Sequence, residues 1–303
     1  MAMMGKRDIM IPIRPLKRES ALRYGAYYFS RLLPHPLLRS GFIAAIRTCV
    51  TVMHGAAAAA EGGEAQSVLR TLRDAGVALI TSPLNPEQVD DVLAYLKTAP
   101  VALGSHGQPV TVSSKGVSSA VYDAPTILAC PHLLKAMNDP AILQIAAGFL
   151  GCNPTISGVG LRWSFADGGK ADIEVQKFHR DTEDWKILRM FIYLTDVSDD
   201  SGPHQFVAES HKRMGRLRLK PYTDEQIDRQ FGRERVKTII GPKGTAFLGN
   251  MWGVHRGVPP SVRPRLLFNC TYTMTASPIY RYEPVTVADS HLYDAYTNRL
   301  LIR

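Results

Sequence analysis

A chain of 303 residues that is 45% hydrophobic and 21% charged has the size and composition of a soluble globular protein with a real core. Its formal charge of +9 is unevenly placed: residues 1–50 hold nine Lys/Arg against Asp8 and Glu19, and the rest holds 27 basic against 25 acidic groups. A nearly neutral body gives nucleic-acid binding little electrostatic support, so no nucleic-acid partner is expected.

Cys49, Cys130, Cys152 and Cys270 are scattered and form no CxxC pair. They read as neither a disulfide framework nor a zinc knuckle, and a reducing cytoplasm is the expected location.

Residues 1–65 read as a basic helical extension. They include the aromatic cluster Tyr24, Tyr27, Tyr28 and Phe29, and leucines at helical spacing interrupted by Pro34 and Pro36. The apolar stretch from Gly41 to Ala60 is broken by Arg47 and His54, so it lacks the uninterrupted run that a bilayer span needs. A basic amphipathic segment of this kind, within residues 1–50, suits peripheral contact with an anionic membrane. The alternative is a solvated arm packed on the domain or on a partner subunit. Gly62-Gly63 marks the expected boundary, with one domain over residues 66–303.

Past that boundary, the run from Ser67 to Asp74 predicts a helix and Val77–Ile80 a strand. Asn85 as N-cap and Pro86 at the first position open a helix through Leu96, with Val89, Val92, Leu93 and Leu96 as its apolar stripe. Residues 101–125 read as loop and short strand, and Pro131 to Leu150 as a helical pair around Asn138-Asp139-Pro140. From Ile156 to Thr275 the pattern becomes short alternating runs between turn residues. The strands expected there are Gly158–Phe165, Glu174–Phe178, Lys186–Thr195, His204–Val207, Val236–Ile240, Gly244–Leu248 and Arg265–Met274. The fold class is therefore mainly β with flanking helices: a jelly-roll, cupin-like core, or double-stranded β-helix, with a helical N-terminal buttress.

His179 and Asp181 sit two apart, so on extended chain both side chains leave one face. An imidazole beside a carboxylate makes two adjacent ligands for a divalent metal, and His255 offers a third. Two histidines and one carboxylate are the facial set of non-haem Fe(II), which leaves open positions for small ligands. Arg265, ten residues after His255, suits a dicarboxylate cosubstrate such as 2-oxoglutarate, because a guanidinium takes a carboxylate bidentately and keeps its charge.

Arg189 shares a strand face with Phe191 and Tyr193. Turned inward it needs an anionic partner, whether cosubstrate, substrate or protein carboxylate; turned outward it is simply solvated. Gln176 is placed either to reach the cosubstrate or substrate, being near the dyad, or to serve as a structural amide. His211 reads as a structural hydrogen-bonding residue, His204 and His106 as surface or loop histidines, and Trp185 and Trp252 as packing residues.

Residues from about 66 to 282 resemble the phytanoyl-CoA dioxygenase family of Fe(II)- and 2-oxoglutarate-dependent oxygenases. The likeness is carried by Gln176-Lys177-Phe178-His179-Arg180-Asp181, Tyr193-Leu194-Thr195-Asp196-Val197, Gly202-Pro203 and Ser210-His211. Ala208-Glu209-Ser210-His211 replaces the family's usual Pro-Gly-Ser-His.

The resemblance implies that His179, Asp181 and His255 bind Fe(II) and that Arg265 pairs with the distal carboxylate of 2-oxoglutarate. Gln176, Phe191 and Arg189 stand as further cosubstrate contacts. O2 would be the oxidant, with ascorbate as a helper reductant, and the substrate a small or carrier-bound metabolite that is hydroxylated. Related halogenases need a small residue where Asp181 stands. The competing readings are a non-oxygenase jelly-roll metal protein or isomerase, and a membrane-associated interaction protein acting through its basic leader.

Overall fold

The computed structural model describes residues 14–15, 25, 27–29, 36–57, 62–101, 103–104, 118–166, 176–213, 220–278 and 280–303. Most of the basic leader before residue 36, His106, and residues 174–175 of one expected strand lie outside them.

Pro36 opens the first long helix, α1 (Pro36–His54), because a proline is tolerated at the first helical position where its missing N–H costs nothing. Val50 on α1 joins the main core, with Ile43 and Ile46 packed against it, so contacts cross the boundary expected near Gly62-Gly63. Then come α2 (Gly63–Asp74), β1 (Val77–Ile80) and α3 (Pro86–Leu96). Asn85 and Gln88 close a reciprocal capping box at the start of α3, and Val89, Val92 and Leu96 are buried.

Next follow β2 (Leu103–Gly104), β3 (Ser119–Val121), α4 (Ala124–Ala129), α5 (Leu133–Met137) and α6 (Pro140–Leu150). α4 begins inside the stretch read as loop and strand; Asp123 caps it by accepting from the Thr126 amide at 2.9 Å, and Pro125 sits in its first turn. The β-rich half holds β4 (Thr155–Ser164), β5 (Ile187–Tyr193), β6 (His204–Val207), α7 (Asp224–Gln230), β7 (Val236–Ile239), β8 (Ala246–Asn250), β9 (His255–Gly257) and β10 (Arg265–Thr273).

Seven strands form one antiparallel sheet in the order β1-β8-β5-β10-β4-β3-β2, and three form a second in the order β9-β6-β7. Period-two alternation gives the large sheet two jobs. Leu188, Met190, Ile192, Leu266, Phe268 and Cys270 face the helices and make the main core. Phe191, Tyr193, Phe247 and Leu267 face the small sheet, where they meet Phe206 and Ile239. Where β4 pairs with β10 the partners step from Gly158 to Ile156, leaving Ser157 as an extra residue. That bulge lets Ile156 and Val159 both reach the core while Gly160, Arg162 and Ser164 line the opposite side.

The expected strand Glu174–Phe178 differs from what is described. Phe178 makes only an isolated bridge to Tyr222, and His179 only one to His255.

Candidate active site

His179 and His255 are opposite one another. Each donates its amide to the other's carbonyl, at 2.9 and 3.0 Å, which is the hydrogen-bonded antiparallel pairing that sends both side chains to one side. Their rings stand 4.4 Å apart. Asp181 is tied in by its own amide, which donates to Met251 O at 3.0 Å. Its Oδ1 lies 3.4 Å from His179 Nε2 and its Oδ2 lies 3.6 Å from His255 Nε2. Among the described residues this is the one group of three or more His, Cys, Asp or Glu side chains that could hold a metal, with all ligand atoms within 4.8 Å of one another.

Both imidazoles are oriented from behind. Nδ1 of His179 meets Lys177 O at 2.8 Å, and Nδ1 of His255 meets Gly253 O at 2.9 Å. A carbonyl can only accept, so each Nδ1 carries the hydrogen and each Nε2 lone pair is left for a metal. Adjacent ligands on one face of a metal stand roughly 3 Å apart, so the donor set needs little closing to hold an ion.

Two residues of the sequence motifs have structural tasks that spacing did not reveal. Arg180 donates to Trp252 O, and to Ser210 O at 2.9 Å. Ser210 Oγ donates to Val207 O at 2.6 Å and accepts from Val254 N at 2.7 Å, fixing the end of β6 to the approach of His255. Glu209, at φ 61°, occupies the left-handed conformation just before Ser210, where the resembled motif carries glycine. His211 is structural as expected, with Nε2 2.9 Å from Arg73 O. Trp185 and Trp252 pack as expected, against Arg39 of α1: the guanidinium lies 3.7 Å from the centre of the Trp252 ring and donates to Trp185 O.

Arg189 is inward. Nη1 lies 2.8 Å from Asp181 Oδ2, and Nε donates to Thr271 Oγ1 at 2.9 Å. The anionic partner it requires is therefore the carboxylate of the cluster. Burial alone pushes the Asp181 carboxyl up, but Arg189 and the two histidines override it and hold it well below the usual carboxylate range. Burial likewise lowers both imidazoles; next to Asp181 the effect is outweighed at His179, which ends raised, while His255 stays lowered by burial and by His179.

A pocket opens in front of this group, lined by Gln176, Phe191, Arg189 and Arg265 together with His179 and His255. The sequence-derived candidates thus converge on one cavity. Arg265, 5% exposed, reaches Ser164 Oγ only at a long 3.5 Å, and its Nε and Nη1 are buried without a hydrogen-bond partner among the described residues. A buried guanidinium with open donors leaves hydrogen bonds that a carboxylate can accept.

His204 corrects its surface assignment. It is 7% exposed, lines the same pocket, stands 4.6 Å from the Phe191 ring, and is kept neutral by burial and by the positive charges around it. β6 is too short for alternation to distinguish its faces, and the Tyr193 hydroxyl accepts from the His204 amide at 2.9 Å, holding it inside. Arg162 and Asn269 also line the pocket. Counting by twos from Arg265 along β10 would have found Asn269.

Fold and cluster together define an antiparallel double-sheet protein with two histidines and an aspartate at the mouth of its inter-sheet pocket. The chain belongs to the phytanoyl-CoA dioxygenase (PhyH) family, whose model matches residues 72–261. No curated protein sequence matches it.

Similar solved structures include EctD from S. alaskensis in its apoform, with TM-score 0.52 and 17% identity over 71% of this chain and 78% of that one. The non-heme alpha ketoglutarate dependent carbocyclase SnoK from nogalamycin biosynthesis gives 0.51 and 19%, over 78% and 93%. The epimerase SnoN from the same biosynthesis gives 0.50 and 19%, over 69% and 80%. At these identities the likeness is one of fold.

Proposed function

We propose that this protein is an Fe(II)- and 2-oxoglutarate-dependent dioxygenase that hydroxylates a small or carrier-bound metabolite. The observation that supports this most is the orphaned Arg265 guanidinium in the pocket that His179 and His255 of the His179–Asp181–His255 group also line. His179 and His255 would hold iron through Nε2 and Asp181 through its carboxylate, and Arg265 would take the distal carboxylate of 2-oxoglutarate. Gln176 and Phe191 bound the cosubstrate, and Arg189 keeps Asp181 ionised while its Nη2 remains for the same ligand.

When bound, iron and 2-oxoglutarate supply the oxidising chemistry, in which O2 converts 2-oxoglutarate to succinate and CO2 and gives one oxygen atom to the substrate. The apolar walls around Phe191 and Leu267 keep that chemistry dry, and His204, held neutral, adds no positive charge near the iron. A carboxylate at position 181 occupies the place that a halogenase leaves for chloride, which supports hydroxylation.

Succinate release from 2-oxoglutarate in the presence of a metabolite extract tests the reading. Release that needs Fe(II) and O2 and disappears in Asp181→Ala supports it. Succinate formed equally without iron would refute it, and a product lacking new oxygen would remove hydroxylation while leaving the oxidant.

A further inference from the structure

Helix α1 is apolar on two faces. One face seats Arg39, Ile43, Ile46 and Val50 on the domain. The opposite face carries Leu37, Leu38, Ala45, Cys49, Val52 and Met53, with Leu37 77%, Val52 79% and Met53 66% exposed. No charge interrupts it. The only Lys, Arg, Asp or Glu residues in the helix are Arg39, buried against Trp185 and Trp252, and Arg47, which is exposed but lies off the stripe and donates to Gly151 O.

A helix on the outside of a soluble domain ordinarily puts charge toward water. Here an apolar stripe runs the whole 19-residue helix, about 28 Å. The 35 residues that precede α1 hold seven Lys/Arg against Asp8 and Glu19. An apolar face beside a strongly basic segment fits a surface that is both apolar and anionic.

We infer that α1 docks this protein on an anionic lipid surface, its exposed stripe in the acyl boundary and the basic residues among the headgroups. The helix lies on the membrane and does not cross it, since no helix among the described residues is long and apolar enough to do so. A second copy of the chain suits the face less well, since it carries the same basic excess and offers the leader no opposite charge. The inference is independent of the chemistry proposed for the pocket.

The test is sedimentation of the full chain with phosphatidylcholine vesicles, with and without phosphatidylglycerol, read beside maleimide labelling of Cys49. Cys49 is the one exposed cysteine; Cys130, Cys152 and Cys270 are buried. Binding is expected only with phosphatidylglycerol, weakening as salt rises. Cys49 labelling should slow severalfold when those vesicles are added. Leu38→Asp with Val52→Asp, at exposed positions, should cut partitioning at least about tenfold with unchanged thermal melting.

No binding to phosphatidylglycerol vesicles, or equal binding by the double variant, would overturn the inference. So would protection of Cys49 that rises with protein concentration without lipid, because it would assign the face to a second copy.

Discussion

Arg189 Nη1 lies 2.8 Å from Asp181 Oδ2, so the one carboxylate of the proposed metal group already has a buried cation beside it. Arg189 and a metal ion thus do the same electrostatic work for Asp181 from different sides. Removing one partner of a buried ion pair costs roughly 3–5 kcal/mol because the other is left uncompensated. Arg189→Met should therefore sharply lower the melting temperature of the metal-free protein, and saturating Mn(II) should restore much of the loss. The metal-induced shift, read by differential scanning fluorimetry, should be larger in the variant than in the parent. Equal shifts would mean that Arg189 does not serve Asp181.

Arg265 is the other buried guanidinium with open donors. Losing one member of a buried charge pair typically costs about 2–5 kcal/mol, so Arg265→Ala should raise the 2-oxoglutarate needed for half-maximal succinate formation roughly 30-fold or more. Arg265→Lys should recover only part, since an ammonium cannot make the bidentate fork. A variant with the parent's requirement would move the cosubstrate elsewhere.

Arg39 joins α1 to both loops that carry the proposed metal ligands, through the Trp185 carbonyl on one side and the Trp252 ring on the other. A desolvated cation–π contact contributes about 2 kcal/mol, so Arg39→Ala should lower the melting temperature by about 3 °C. It should also weaken metal binding severalfold, because the Trp252 and Gly253 carbonyls hold Arg180 and His255. Arg47→Ala, whose guanidinium bonds Gly151 O, serves as the control and should leave metal binding unchanged in an equilibrium titration.

Alkaline stability sets Lys186 against three thiols. Burial lowers Lys186 to about 8, so between there and its unfolded value near 10.4 the unfolded chain binds more protons and stability from this residue rises with pH. Burial raises Cys130 and Cys270 to about 12 and Cys152 to about 11, so above about 8.5 their contribution falls with pH. Lys186→Met should remove only the rising contribution. Urea melts between pH 8 and 10 should show the variant losing stability more steeply than the parent.

Much of this was legible in the residues because it depends on local spacing. Asn85 and Pro86 announced α3, the alternation along Arg265–Thr273 announced β10, and His179-x-Asp181 with His255 announced the cluster. Alternation also put Arg189 and Phe191 on one face of β5, yet could not say which face was inside, since both are buried. What stayed hidden depends on contacts between distant segments. Ser210 acts by bridging two backbone groups, and Arg39 by meeting tryptophans about 146 and 213 residues on, relationships that leave no periodic trace. The cap at Asp123 was readable but was obscured by the Gly- and Ser-rich residues before it.

The central claim is that His179, Asp181 and His255 hold iron while Arg265 presents 2-oxoglutarate to it. Adding Fe(II) and 2-oxoglutarate to the full chain without oxygen tests it most directly, by the weak visible charge-transfer absorption that arises only when both occupy one site. The account predicts that band in the parent and its loss in His179→Ala. No band in the parent, with His179→Ala retaining the parent's metal content, would contradict it.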